Sequence, residues 1–256
     1  MDLGLKGKKA VILGGTRGIG RAIADTLAGE GADVAVCARN ADQVAETVAA
    51  LKGKGVSATG ASVDITDGPA LKAWVKKAGE EFGGIDVLVS NAGAMAQGAD
   101  PDSWKKNFEV DVLGAVNAFD AAEPFLKEAA AKHGDAAFVL IASVSAAVAD
   151  SAGSYGLMKA ALIHMAKGLA RQHAPIGLRV NVVSPGMVYF EGGVWHMVET
   201  GMPDFFKQQL KRNPTGRCAT PKEVANAAVF LASPLSSYTT GVNLLVDGAI
   251  SNRVNF

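Results

Sequence analysis

Three side chains in the middle of the sequence could supply acid–base chemistry to a carbonyl or alcohol group. Tyr155 and Lys159 lie four residues apart in an alanine-rich stretch that predicts a helix, and Ser143 precedes the tyrosine by twelve residues on an apolar stretch that predicts a strand. Positions i and i+4 share a helix face, so the phenol and the ammonium project the same way. The positive charge favours the phenolate, which suits the tyrosine to proton transfer near neutral pH. The same spacing is also typical of a solvated helix face, so its meaning depends on the rest of the chain.

Composition narrows the classes of function. The chain has 256 residues, of which 49% are hydrophobic and 20% charged, and this predicts a single α/β domain over residues 1–256 with a sizeable core. Lys+Arg and Asp+Glu number 25 each, which favours neither nucleic acid nor an anionic membrane as a partner. No apolar run approaches the roughly 20 residues of a membrane span. Two distant cysteines and no signal-peptide core indicate a reduced, cytoplasmic setting, and the four histidines give no metal-site spacing, so no metal is predicted.

Short β-rich runs alternate with longer amphipathic stretches. The predicted strands are residues 10–13, 34–38, 56–63, 87–90, 138–143, 179–184 and 243–246. The predicted helices are residues 19–29, 41–52, 69–82, 101–132, 154–173 and 221–232. This alternation predicts an α/β fold, a Rossmann-type doubly wound parallel sheet of about seven strands with helices on both faces. Residues 187–217, rich in Gly, Met and aromatics, are predicted to be a long irregular substrate lid.

A glycine-rich loop follows the first predicted strand and precedes a predicted helix. It reads Gly14-Gly15-Thr16-Arg17-Gly18-Ile19-Gly20. Glycines permit a tight turn and a close approach to a pyrophosphate, whose charge the helix N-terminus attracts. Arg21-Ala22 stand where a nucleoside-triphosphatase loop needs Lys followed by Ser or Thr. The loop therefore predicts dinucleotide binding rather than triphosphate hydrolysis.

The residues after the second predicted strand indicate which dinucleotide is bound. An acidic side chain there usually meets a free ribose 2′-hydroxyl, whereas an arginine accommodates a 2′-phosphate. Ala38 occupies the usual acidic position and Arg39 follows it, while Arg17 lies in the glycine loop. We therefore predict NADP(H) rather than NAD(H), with both arginines at the 2′-phosphate.

These motifs, taken in order, resemble the short-chain dehydrogenase/reductase family over nearly the whole chain. The resemblance makes Ser143, Tyr155 and Lys159 the catalytic residues and favours Ser143 over nearby Ser145. It also implies that Asp64 contacts the adenine and that the backbone of Val188 binds the nicotinamide carboxamide. The residues implied in cofactor binding are Gly14, Thr16, Arg17, Gly18, Ile19, Gly20, Arg39, Asp64, Asn91, Ala92, Gly93, Tyr155, Lys159, Pro185, Gly186 and Val188.

Two departures from the family pattern affect the expected site. Asp111 stands where the family has a catalytic asparagine that helps to hold a water connected to the lysine. An aspartate adds a possible negative charge and lacks the amide donor, so we expect activity to survive with an altered proton relay. Asn107 lies one turn earlier, but nothing in the sequence shows that it substitutes. Phe190 replaces a threonine that often contacts the carboxamide.

The resemblance implies hydride transfer between NADP(H) and a carbonyl/alcohol pair. Ser143 would polarise the carbonyl oxygen, Tyr155 would transfer the proton, and Lys159 would bind the nicotinamide ribose. Aromatic and Met side chains predict an apolar pocket for a hydrophobic or cyclic substrate, which would contact Ser143, Met95, Phe190 and Trp195.

Two alternatives on the same fold stay open. One is a cofactor-binding sensor or regulatory protein, and the other is an epimerase or dehydratase. Members of the family are commonly tetramers, so a homotetramer, or else a dimer, is expected through the helices at residues 101–132 and 154–173.

Overall fold

The computed structural model describes residues 2–148 and 153–252. The single domain predicted over residues 1–256 also includes residues outside these ranges. Within them the strands are β1 (Lys9–Leu13), β2 (Asp33–Ala38), β3 (Ala58–Ser62), β4 (Val87–Ser90), β5 (Ala136–Ile141), β6 (Leu178–Pro185) and β7 (Asn243–Val246). The α-helices are α1 (Gly18–Gly29), α2 (Ala41–Lys52), α3 (Gly68–Phe82), α4 (Pro101–Asn107), α5 (Gly114–His133), α6 (Ser154–His173), α7 (Val194–Gly201), α8 (Pro203–Arg212) and α9 (Pro221–Ala232).

All seven strands form one sheet in the order β3-β2-β1-β4-β5-β6-β7, and every neighbouring pair is parallel. The order reverses between β1 and β4, which pair directly, with Leu13 opposite Ser90. In open α/β sheets ligands bind outside the carboxyl ends of the strands at such a reversal. The predicted Rossmann-type fold is confirmed, and the glycine loop lies at its switch point.

Each face of the sheet carries its own apolar core. Alternate residues of a strand point to opposite faces, and β1 shows this clearly: Val11 and Leu13 pack on one side, Ala10 and Ile12 on the other. The first side is covered by α3, α5 and α6, and the second by α1 and α9. Because both faces are covered, the central strands are apolar along their whole length.

Three predicted elements differ from the structure by more than one residue at an end or by an interruption. The strand predicted at residues 138–143 is β5, which ends at Ile141, so Ser143 lies beyond the strand as the N-cap of a 3₁₀ turn at Val144–Ala146. The strand predicted at residues 56–63 is shorter, Ala58–Ser62. The helix predicted at residues 101–132 is interrupted by a π-helix, Phe108–Leu113, which widens one turn between α4 and α5.

The segment predicted to be irregular, residues 187–217, contains α7 and α8. Pro203 at the first turn of α8 has the fixed φ that a helix start requires. Only Phe206 of that helix is buried. Along the described ranges, every helix is too short or too polar to cross a membrane.

Candidate active site

The turn after β5 presents the Ser143 hydroxyl. Its Oγ accepts a hydrogen bond from the N–H of Ser145 at 3.1 Å, and the side chain is largely buried. Because a hydroxyl can accept and donate at once, its own proton is left to donate to a substrate oxygen. Ser145, in contrast, is exposed. This geometry favours Ser143, as the sequence did.

Tyr155 and Lys159 lie in the first two turns of α6. The Lys159 Nζ is 5.7 Å from the centre of the Tyr155 ring, so the charge faces the aromatic group as the spacing predicted. Nζ also donates a hydrogen bond to the carbonyl oxygen of Ile141, the last residue of β5, at 3.1 Å. This bond fixes the lysine at the carboxyl edge of the sheet, on the same strand end as Ser143.

Asp111 is brought directly onto the lysine. Its Oδ1 lies 2.7 Å from Lys159 Nζ, and the two side chains are 0% and 4% exposed. Burial by itself lowers the pKa of the Lys159 ammonium, but the charge of Asp111, followed by Tyr155, more than offsets this, and the pKa is raised. The ammonium therefore stays protonated. Gly93 makes room for the pair, since a Cβ there would be 3.2 Å from Asp111 Oδ1 and 3.5 Å from Lys159 Nζ.

The glycine loop is shaped by contacts that exclude larger side chains. A Cβ on Gly20 would lie 2.1 Å from the carbonyl oxygen of Gly14 and 2.4 Å from Asn91 Nδ2. Asn91, the residue after β4, donates a hydrogen bond from its side-chain amide to that carbonyl at 2.9 Å. This bond ties the end of β4 to the glycine loop. Gly14 and Gly18 have positive φ angles of 71° and 53°, and these favour glycine.

The same loop leaves a helix N-terminus open to an anion. Arg17 is the N-cap of α1 and its side chain makes no capping hydrogen bond. The first backbone N–H groups of a helix have no partner within it and carry its positive dipole end. These groups fit the pyrophosphate of a dinucleotide.

Other predicted cofactor residues lie at neighbouring strand ends. Gly186 is closely packed, since a Cβ there would be 2.9 Å from the Cα of Asp247. The next strand-like pairing, of Val188 with Ala219, uses the N–H of Tyr189 and the carbonyl of Met187. This pairing does not use the N–H and carbonyl of Val188 itself, and their binding of the carboxamide stays a prediction.

Asp64 follows β3 with one oxygen already engaged. Its Oδ1 accepts hydrogen bonds from the N–H and the hydroxyl of Thr66 at 3.0 and 2.8 Å. Those two bonds, more than the nearby Arg39, hold the pKa of the Asp64 carboxyl below its usual value. The second oxygen takes no part in these two bonds, and a carboxylate oxygen can accept a hydrogen bond from an amino group such as that of adenine.

Both arginines predicted for the 2′-phosphate follow neighbouring strand ends. Arg17 comes after β1 and Arg39 directly after β2, and these strands pair with Leu13 opposite Cys37. Both side chains are exposed. Their placement on one edge fits a doubly charged phosphate group.

Three of the predicted substrate residues lie in three different segments of the chain. The Phe190 ring packs on the cofactor loop, where a Cβ on Gly18 would be 2.5 Å from the ring. Trp195 lies in α7, with its ring centre 6.3 Å from that of Phe206 in α8. Met95 follows the Asn-Ala-Gly turn, is 39% exposed and has a positive φ of 56°.

The sequence did not reveal the part that two residues of the site play. Gly156, next to Tyr155, lets α6 approach the turn after β5, since a Cβ there would be 2.5 Å from the Ser145 carbonyl oxygen. An isolated glycine inside a predicted helix was the available signal. The second, Asn107, is fully buried and bonds to Ala96 and Ser154. In the part of the chain that the structure describes, no three His, Cys, Asp or Glu side chains are grouped to hold a metal.

Comparison with known proteins decides the family. A protein-family model described as Enoyl-(Acyl carrier protein) reductase matches residues 14–251. An isoepoxydon dehydrogenase of Penicillium expansum is 36% identical over 263 residues, covering 100% of this chain and 99% of the relative. The chain belongs to the short-chain dehydrogenase/reductase family.

Two further members of this family are informative. A cis-4-hydroxycyclohexanecarboxylate dehydrogenase of Sinomonas cyclohexanicum is 35% identical over 248 residues, covering 93% of this chain and 94% of the relative. The L-sorbose reductase of Gluconobacter frateurii, solved with NADPH and L-sorbose, superposes with a TM-score of 0.88 at 31% identity, covering 99% of this chain and 100% of that one. The predicted class is confirmed: the chain is an NADP(H)-dependent oxidoreductase of carbonyl and alcohol groups.

Proposed function

We propose that this short-chain dehydrogenase/reductase interconverts a cyclic, largely apolar ketone and its alcohol. The observation that supports this reaction best is the Tyr155–Lys159 pair at the carboxyl edge of the sheet, where the charge of the lysine is fixed by Asp111. Two observations favour a ring-shaped substrate. One is the aromatic side chains of α7 and α8, and the other is the similarity to a cis-4-hydroxycyclohexanecarboxylate dehydrogenase.

Each catalytic side chain has one task in this proposal. The Ser143 hydroxyl, held by the N–H of Ser145, donates a hydrogen bond to the carbonyl oxygen and polarises it. Tyr155 delivers the proton to that oxygen during reduction and removes it during oxidation. Lys159 supplies a fixed positive charge beside the phenol, and Asp111 keeps that charge in place. Bound NADPH supplies the hydride to the carbonyl carbon.

We assign cofactor binding to the residues predicted from the sequence. The open amides of α1 hold the pyrophosphate, Asp64 the adenine, and Arg17 with Arg39 the 2′-phosphate. The Val188 backbone holds the carboxamide, and Lys159 reaches the ribose hydroxyls. The remaining loop residues give the backbone the shape that this binding requires.

Residues 187–217 form the proposed substrate lid. We assign Trp195 on α7 to its apolar wall and Met95, after the Asn-Ala-Gly turn, to a second wall of the pocket. Phe190 lies at the border between lid and cofactor, because its ring touches the glycine loop.

A homotetramer with a cytoplasmic location is part of the proposal. Apolar side chains on the predicted contact helices are exposed, and such patches often mark subunit contacts. They are Trp104, Phe108, Leu113, Val116 and Leu157. Light scattering coupled to gel filtration tests this, and a monomeric mass contradicts it.

A cofactor-linked assay tests the proposed reaction. Wild type is supplied with NADPH and either cyclohexanone or L-sorbose, and with NADP⁺ and cis-4-hydroxycyclohexanecarboxylate. We expect turnover of the two cyclohexane compounds, one nicotinamide consumed per product, and loss of most of it in Tyr155→Phe. Unchanged turnover in that variant refutes the assigned proton donor. Product without cofactor consumption indicates an epimerase or dehydratase, and binding alone indicates a sensor.

A further inference from the structure

Asn107 is a buried amide with three hydrogen bonds. It is 0% exposed. Its Oδ1 accepts from the N–H of Ala96 at 3.1 Å, and its Nδ2 donates to the carbonyl of Ala96 at 2.8 Å and to the hydroxyl of Ser154 at 2.9 Å. One side chain thus joins a loop after β4 to the residue before Tyr155. Buried amides are costly unless their partners are supplied, and here they are supplied by the loop and α6.

Asp111, four residues further along, holds the same loop at a second point. Its Oδ2 accepts a hydrogen bond from the N–H of Ala94 at 3.1 Å, while its Oδ1 faces Lys159. The loop is therefore fixed on both sides of Met95, at Ala94 and at Ala96. Each anchor also reaches α6, one at Ser154 and the other at Lys159.

Met95, between the two anchors, has an unfavourable backbone conformation. Its φ is 56°, in the left-handed region that residues with a Cβ rarely adopt. Such strain persists only where the surroundings impose it, and it is concentrated at functional sites. Here the constraint comes from Asn107, which forms hydrogen bonds with both the N–H and the carbonyl of Ala96, the residue after Met95.

We propose that Asn107 is a positioning residue that holds Met95 in its left-handed conformation and so shapes the substrate side of the site. This rests on the proposed function, since Met95 is one wall of the proposed pocket. Among the described residues, the hydrogen-bond partners of Asn107 are Ala96 and Ser154, whereas Lys159 is paired with Asp111. Loss of Asn107 should therefore weaken substrate binding more than it slows the chemical step.

A double-mutant cycle with glycine at position 95 tests the proposal. Asn107→Leu keeps the volume and removes all three hydrogen bonds. We expect its KM for cis-4-hydroxycyclohexanecarboxylate to rise at least about tenfold, because small displacements in a site have large kinetic effects. The kcat and the Kd for NADPH should stay within about threefold. Glycine adopts a positive φ without strain, so in the Met95→Gly background the same substitution should raise KM by less than about twofold.

Ser154→Ala separates the two ends of the Asn107 contact. It removes the bond to α6 and keeps both bonds to Ala96, so its KM should rise less than that of Asn107→Leu. An unchanged KM in Asn107→Leu, or an equal rise in the Met95→Gly background, overturns the proposal. Should Asn107→Leu fail to fold, Asn107→Ala is measured in the same cycle.

The failure of this proposal can be told apart from that of the proposed function. If wild type does not turn over the hydroxycyclohexane, the substrate class is wrong. Crystal structures of wild type and Asn107→Leu then decide the positioning role: we expect residue 95 to leave the positive-φ region in the variant, and an unchanged φ refutes it.

Discussion

Asp111 and Lys159 form an ion pair in which both charged groups are shielded from water, with Oδ1 and Nζ 2.7 Å apart. A buried charge is tolerated when it is paired, and breaking such a pair on one side leaves the other charge uncompensated. An asparagine, which the family pattern places at position 111, cannot supply this compensation. The departure at residue 111 therefore changes what keeps Lys159 charged.

Replacing Asp111 with Asn should shift the pH profile of the enzyme. Without the carboxylate, burial is the main influence on Lys159 and lowers the pKa of its ammonium. We expect the basic limb of the kcat/KM profile to move to lower pH by at least about one unit. The profile is measured from pH 6 to 11 for wild type and Asp111→Asn.

An exposed ion pair provides the control for this variant. Lys72 and Asp120 are 2.6 Å apart with side chains 38% and 60% exposed. Asp120→Asn should leave stability nearly unchanged, whereas Asp111→Asn should cost about 3 kcal/mol or more. A basic limb that stays in place in Asp111→Asn contradicts the assigned role of the carboxylate.

The same pair should make stability depend on pH at the alkaline end. The pKa of Lys159 is raised in the folded protein above its ordinary value of 10.5. The stabilisation that it contributes is therefore fully present below pH 10.5 and is lost as the pH rises through the raised folded value. We expect the difference in unfolding free energy between wild type and Asp111→Asn to shrink above pH 10.5. Urea unfolding at several pH values measures this, and a constant difference contradicts it.

Adding a methyl group to Gly156 should separate α6 from the turn after β5 that carries Ser143. A Cβ at this position would be 2.5 Å from the Ser145 carbonyl oxygen, a backbone atom that cannot turn aside. We expect Gly156→Ala to lower kcat by about tenfold or more, because Tyr155 and Ser143 lose their relative placement. Steady-state kinetics with a cyclic ketone measure the change.

The same helix offers a matched control. A Cβ on Gly168 would meet nothing within 4 Å, so Gly168→Ala should stabilise the protein by about 0.5–1 kcal/mol through helix propensity alone. Its kcat should stay at the wild-type value. Equal effects of the two substitutions on kcat would show that the close contact at Gly156 is unimportant.

The sequence predicted most of the fold because the strands and caps carry strong local signals. β4, β7, α2, α6 and α9 have the predicted bounds. Ser143, Tyr155 and Lys159 were predicted by family motifs, and the structure places them around one strand end. The π-helix could not be predicted, because widening one turn leaves the apolar pattern almost unchanged.

The contacts of Asp111 and Asn107 also could not be predicted from the sequence. Pairing of Asp111 with Lys159, 48 positions later, depends on how α6 packs beside the π-helix. The bonds of Asn107 to Ala96 depend on the path of a loop with no periodic pattern. Side-chain types can suggest such partners, but only tertiary packing selects among them.

Removing the ring of Phe190 should strengthen cofactor binding. The ring packs against Gly18, in the loop whose amides are assigned to the pyrophosphate, and we expect pyrophosphate binding to displace it. Phe190→Thr has no ring to displace, and we expect its Kd for NADPH to fall by about three- to tenfold. Phe190→Tyr keeps the ring and serves as the comparison. Nucleotide fluorescence titration measures both, and an unchanged Kd in Phe190→Thr would show that the ring does not oppose binding.

Replacing Arg39 with Leu should reduce the preference for the phosphorylated cofactor. Arg39 follows β2 at the edge where a 2′-phosphate is expected, and charged hydrogen bonds of this kind contribute about 1.5–3 kcal/mol. We therefore expect the KM for NADPH to rise by about 10- to 100-fold. The KM for NADH, which lacks the 2′-phosphate, should change by less than about threefold in the same variant. Because the two cofactors differ only in this group, an equal rise in both KM values would place Arg39 elsewhere in the site. If neither KM rises, Arg39 does not bind the 2′-phosphate, and Arg17 is the remaining residue predicted to do so.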